Sequence, residues 1–95
     1  MKFVERVFSE ETAWRLLRAM NEQQATGRTD VDVFPAAVAQ EVEIKPDTNI
    51  FFAVVGYLEA EDYIDPSPNA TLVGATVFRI TDKGMAWLKT PPPEV

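Results

Sequence analysis

From Ile50 to Leu58 the chain reads IFFAVVGYL, in which every residue is apolar, aromatic or glycine. A run of this kind constrains the fold strongly, because the other 86 residues of a 95-residue chain must cover most of it. Two conformations suit it. As a helix, it places Phe51, Val54, Val55 and Leu58 on one stripe that faces a core. The opposite side then presents Asn49, Phe52, Ala53, Gly56, Glu59 and Ala60. As a strand, IFFAVV offers two aromatic and three β-branched residues in six positions, which also fits burial in a sheet. Three readings stay open: a helix whose outer face binds a partner, a helix covered by the arm Met1 to Phe8, and a buried strand.

The flanking sequence favours helices before the run and strands after it. Ser9, Glu10 and Glu11 predict a helix start, with a hydroxyl for orphan amides and two acids against the positive end of the dipole. Ala13, Leu16, Leu17 and Met20 recur at helical spacing, and Gly27 is a natural stop, so the first helix is expected over 10–25. Asp32 is expected to cap a second helix that takes Pro35 in its first turn and runs to about Glu43. Lys45-Pro46-Asp47 breaks the chain, and Asp47 or Thr48 caps a third helix ending near Asp62. Tyr63 and Ile64 read as a short strand, and Asp65 to Asn69 as a loop. Thr71 to Thr81 reads as two short strands or one bent strand, clearest at Val77 to Ile80. Thr81 caps a last helix over Asp82 to Lys89, and three prolines at 91–93 end regular structure. The expected organisation is one domain over 1–90 and an extended tail over 91–95.

Composition removes whole classes of chemistry. The chain has no cysteine and no histidine, so thiolate metal sites, thiol nucleophiles and imidazole bases are absent. Its only serines are Ser9 and Ser67, which excludes a serine–histidine system. No catalytic residue, cofactor or metal ligand is expected. Glu59, Glu61, Asp62 and Asp65 lack the glycine-containing pattern of a calcium loop and read as a solvated face and turn. No stretch approaches the roughly 18 apolar residues of a membrane span, and a soluble cytoplasmic protein is expected.

Charge is unevenly spread. The net charge is −6, and between Asp30 and Asp65 nine acids face a single base, Lys45, a local balance of −8. The rest of the chain, with eight bases and six acids, carries +2. Nucleic-acid binders ordinarily displace counterions with a basic face.

Two motifs carry a family resemblance. VAQEVEIKPDT, Val38 to Thr48, resembles the end of the second helix, the turn and the start of the recognition helix in winged helix-turn-helix domains. FRITDKGMAWL, Phe78 to Leu88, resembles the end of the wing and the helix behind it in bacterial regulators of the MarR and PadR type. LEAEDYI, 58–64, is similar to the L-x-x-x-G-x-I exit from the recognition helix, with Asp62 where glycine is usual. The resemblance implies an α+β, mainly α, fold: a three-helix bundle, a small antiparallel β-wing and a C-terminal helix. It also implies a transcription regulator that binds DNA. The third helix and the wing, Pro66 to Ala75, lack the family's basic residues, so its DNA contacts do not carry over position by position. Arg15, Arg18, Arg28 and Arg79 are the candidates for phosphate contacts if DNA is bound. Asn49, Phe52, Ala53 and Gly56 are the candidates for a protein contact, most simply in a homodimer. Charge and apolarity together favour a protein-interaction or dimerisation module over direct DNA binding.

Overall fold

A serine hydroxyl sets the first element. In the computed structural model, which describes residues 8–69 and 77–93, Ser9 Oγ accepts the Thr12 amide at 3.2 Å and starts α1, Glu10–Met20. Helix α1 buries Ala13, Trp14, Leu16, Leu17, Ala19 and Met20. A π-helical turn, Asn21–Ala25, continues it, and Thr26 and Gly27 end it at φ of 51° and 80°. The expected span of 10–25 therefore holds, with its last turn wound more loosely than an α-helix.

Asp32 does not cap the second helix. Pro35 is the first residue of α2, Pro35–Val38, so the capping position falls on Phe34, two residues beyond Asp32. The orphan Phe34 amide is instead taken by Gln24 Oε1 at 2.6 Å, from the π-helical turn. A 3-10 turn, Ala39–Val42, extends α2, and Glu43 closes it in the left-handed region at φ 64°.

Residues 50–55 are helical, which overturns the strand reading. Of the two candidate caps Thr48 acts: its Oγ1 accepts from the Phe51 amide at 3.2 Å and donates to the Lys45 carbonyl at 2.7 Å. Helix α3, Asn49–Ala60, buries Phe51, Val54, Val55 and Leu58, the stripe that the spacing predicts. It leaves through Asp62, which adopts a left-handed φ of 65°.

A two-stranded antiparallel sheet follows. Strand β1, Ile64–Pro66, pairs with β2, Phe78–Ile80, in the register Ile64 to Ile80, Asp65 to Arg79 and Pro66 to Phe78. The expected strand at Tyr63-Ile64 thus begins one residue later and takes in Asp65 and Pro66. Proline fits because the neighbouring ladder bonds run through Tyr63 O and the Ser67 amide, so the missing N–H at position 66 faces away from β2. On its other side β2 exchanges two bonds with Val33, at 2.7 and 2.9 Å. The fold is therefore α+β and mainly helical. The expected start of the strand region at Thr71 and most of the proposed wing lie outside the described residues, as do residues 1–7 of the N-terminal arm.

The last helix, α4, Asp82–Leu88, is locked to the exit of α3. Thr81 Oγ1 accepts the Gly84 amide at 3.0 Å and donates to the Asp62 carbonyl at 2.6 Å. A Cβ on Gly84 would lie 2.3 Å from the Tyr63 carbonyl oxygen. Trp87 stacks on Tyr63 with centroids 4.2 Å apart, and its carbonyl accepts from Trp14 Nε1 at 3.2 Å. Trp14 and Trp87 are thus packing residues. The core joins α1, α2, α3 and both strands through Leu16, Leu17, Met20, Val38, Val54, Leu58, Ile64 and Ile80. Among the described residues no helix is long and apolar enough to cross a membrane.

The Gly84 contact generates a stability prediction. Gly84→Ala is expected to cost roughly 3 kcal/mol in urea unfolding, because the new methyl must push apart backbone that cannot yield locally. Asp62→Gly, which relieves a left-handed residue on the same junction, is expected to raise the urea midpoint.

Candidate functional site

The outer face of α3 is the candidate. Successive residues of a helix step by about 100°, so the buried stripe leaves Asn49, Ala53, Gly56 and Ala60 along the opposite midline. All four are exposed or partly exposed. Phe52 stands on one flank with 56% of its surface in solvent, and Ile50 on the other with 44%. The Phe52 ring rests edge-on against Phe51, 5.4 Å between centroids, which anchors its base while leaving its outer side bare. The flank beside Tyr57 is partly closed: Phe8 meets the Tyr57 ring at 5.6 Å, and the Tyr57 hydroxyl donates to Glu10 Oε2 at 2.9 Å. The flank of Phe52 and Glu59 is open. The sequence candidates Asn49, Phe52, Ala53 and Gly56 therefore share one surface.

The four candidate phosphate-binding arginines do not share that surface. Each is engaged by a carboxylate. Arg15 meets Glu11 at 2.9 Å, and Arg18 meets Glu22 at 3.9 Å while lying over the Trp14 ring. Arg28 grips Asp30 with two parallel bonds of 3.0 Å. Its guanidinium holds the Asp30 carboxyl below the ordinary aspartate range, and Asp30 in turn raises Arg28. Arg79 donates to Asp32 at 3.1 Å. No basic residue lies on α3 itself.

Asp32 is the residue that sequence reasoning placed wrongly. Its carboxylate accepts Ser67 Oγ at 2.6 Å, Asn69 Nδ2 at 2.9 Å and Arg79 Nε at 3.1 Å. Ser67, almost fully buried, passes the network on by accepting the Asn69 amide. One aspartate thus ties the connection before α2 to the segment after β1 and to the centre of β2. The clue was the spacing to Pro35, which sets Asp32 too far upstream to cap α2 and frees its side chain for longer-range bonds. Beside this network lies an open cleft of about 340 Å³ lined by Thr29, Asp65, Pro66, Arg79, Thr81 and Asp82. Among the described residues no three acids converge as a metal site.

The hydroxyl of Ser67 and the amide of Asn69 hold the Asp32 carboxyl below its usual value; burial opposes them, and Arg79 adds to the lowering. A lowered carboxylate stabilises the fold above its unfolded value, near pH 3.9, and that contribution fades as pH falls through the folded value. Asp32→Asn is therefore expected to be less stable than the parent at neutral pH by a margin that stays constant down to about pH 5 and narrows below about pH 4. Thermal unfolding of both proteins across this range checks the margin.

Comparison of the chain with protein-family models, with characterised proteins and with solved structures returns no match, so the functional reading rests on its own residues.

Proposed function

We propose that this chain is a winged-helix domain of MarR- or PadR-like type in which the third helix binds protein instead of reading DNA, as a non-catalytic, regulatory interaction module. The observation that carries this reading is the outer face of α3, which offers Phe52, Ile50, Ala53 and Gly56 and no cation. A helix that reads bases presents polar and basic side chains to the groove. An exposed aromatic on a surface free of cations fits the apolar, charge-depleted centre of a protein contact.

The winged-helix part of the proposal draws on three positions. Asp62 takes the left-handed conformation at the place where the family's exit motif has glycine. Thr81 and Gly84 of the T-x-K-G motif seat α4 against that exit. Thr48 starts α3 directly after I-K-P-D. Electrostatics weigh against DNA: the segment from Asp30 to Asp65 carries −8, and Arg15, Arg18, Arg28 and Arg79 already have acidic partners. Exposed ion pairs of this kind are worth little and exchange readily, so the acidic surroundings oppose phosphate more than the pairs themselves do.

Electrophoretic mobility with random duplex at low salt tests the proposal. No shift is expected up to about 50 µM protein, well into the range where non-specific binders saturate. A shift that weakens steeply as salt is added would restore DNA as the ligand.

A further inference from the structure

The chain meets α3 before it forms α1. Phe8 packs on the Tyr57 ring, and Glu10 accepts the Tyr57 hydroxyl, so the entry to α1 is held against one flank of α3. Ala53 and Ile50 lie four and seven residues before Tyr57, on that same flank. Ala53 is partly exposed, and Ile50, at the end of the line, keeps 44% of its surface in solvent. The opposite flank is bare: Phe52 is 56% exposed, and a Cβ at Gly56 would meet nothing within 4 Å.

We infer that residues 1–7 continue from Phe8 along the line of Tyr57, Ala53 and Ile50 and cover it; the inference rests on the reading that the outer face of α3 binds protein, and it narrows the partner's share of that face to Phe52 and Gly56. Reach permits this course. Ile50 lies about 10 Å from Tyr57 along the helix, and seven residues span up to about 23 Å. Apolarity sets the direction. Past Tyr57 toward its C-terminal end, α3 leads to Ala60, Glu61 and Asp62; toward its N-terminal end it leads to Ala53 and Ile50. Phe3, Val4 and Val7 meet apolar surface on the second course.

Charge selects this occupant over a second copy. Glu43 and Asp47 flank Lys45 at the start of α3, and Glu59, Glu61 and Asp62 close its end. Both ends are acidic, so two copies of this face repel one another. The arm has the opposite sign, with Lys2 and Arg6 against Glu5. Its attachment at Phe8 adds to this, because a segment tethered through a few residues acts at an effective concentration of roughly millimolar. A contact too weak to join two molecules is thereby formed within one.

Relaxation by a soluble gadolinium chelate, read by NMR at the Ile50 methyl and the Phe52 ring of the full chain, tests the inference. Phe3→Ser with Val4→Ser is expected to raise the chelate's effect on Ile50 about twofold or more, because a contact held at millimolar effective concentration is occupied most of the time. Its effect on Phe52 is expected to stay unchanged. Lys2→Glu with Arg6→Glu is expected to expose Ile50 in the same way at low salt, and to differ less from the wild type as salt is added. Circular dichroism checks that both variants keep the helical content of the wild type, and the charge variant alone decides if the serine variant does not. An Ile50 methyl that responds equally in wild type and variants overturns the inference and leaves the protein-binding reading of α3 standing. Protection of Ile50 that is lost on dilution from about 500 to 5 µM overturns it in favour of a second copy. A response at Phe52 in place of Ile50 overturns it by putting the arm on the other flank. A duplex shift abolished by Phe52→Glu overturns the parent reading and, with it, the share of α3 assigned to a partner.

Discussion

The approach of Gly84 to the Tyr63 carbonyl is the contact on which the architecture turns. It lets α4 lie directly on the chain leaving α3, at a distance that excludes any side chain. Everything around it depends on that closeness. Thr81 bonds the α4 amides and the Asp62 carbonyl together, Asp62 turns left-handed to present that carbonyl, and Trp87 reaches Tyr63 and the Trp14 indole. The third and last helices are thereby joined through a backbone junction, and the Trp14 indole ties the first helix to the last by a hydrogen bond as well as by apolar packing.

A second junction works by charge. Asp32 gathers a hydroxyl, an amide and a guanidinium from residues 35 to 47 positions away in sequence. Arg79 stands in the middle of β2, with Phe78 bonded to Val33 on the far edge. The stretch 31–34 is therefore held to the sheet by its main chain at Val33 and by its side chain at Asp32. With both junctions fixed, α3 is held by its buried stripe, by its exit at Asp62 and by the bond from Tyr57 to Glu10, and the flank of Phe52 is left exposed.

The helices were legible in the sequence because their signals are local. Ser9, Thr48 and Thr81 each cap the helix that follows, and the apolar spacing in 51–58 identifies the buried stripe. Local signals failed where a side chain bonds far along the chain. Asp32 resembles a cap by type but sits two residues early, and nothing near it in sequence points to Ser67, Asn69 or Arg79. Pro66 read as loop because two prolines and turn formers crowd 65–69, and only the pairing register reveals that its nitrogen faces away from the ladder. The face of α3 was legible as an anomaly of composition. The lack of any contact to Gly56 was not, since it takes coordinates to find empty space.

The placement of Pro66 has a consequence for how copies of this protein meet. Short sheets with open edges invite further strands, and such addition has no natural end, so it leads toward filaments and aggregates. Here the outer edge of β1 lacks a donor at position 66, and the far edge of β2 is occupied by Val33. Strand addition is disfavoured at Pro66 on one edge and at Phe78 on the other. The large apolar side chains that stay exposed among the described residues, Phe34, Ile50 and Phe52, lie outside both strands, so a contact made through them does not extend the sheet.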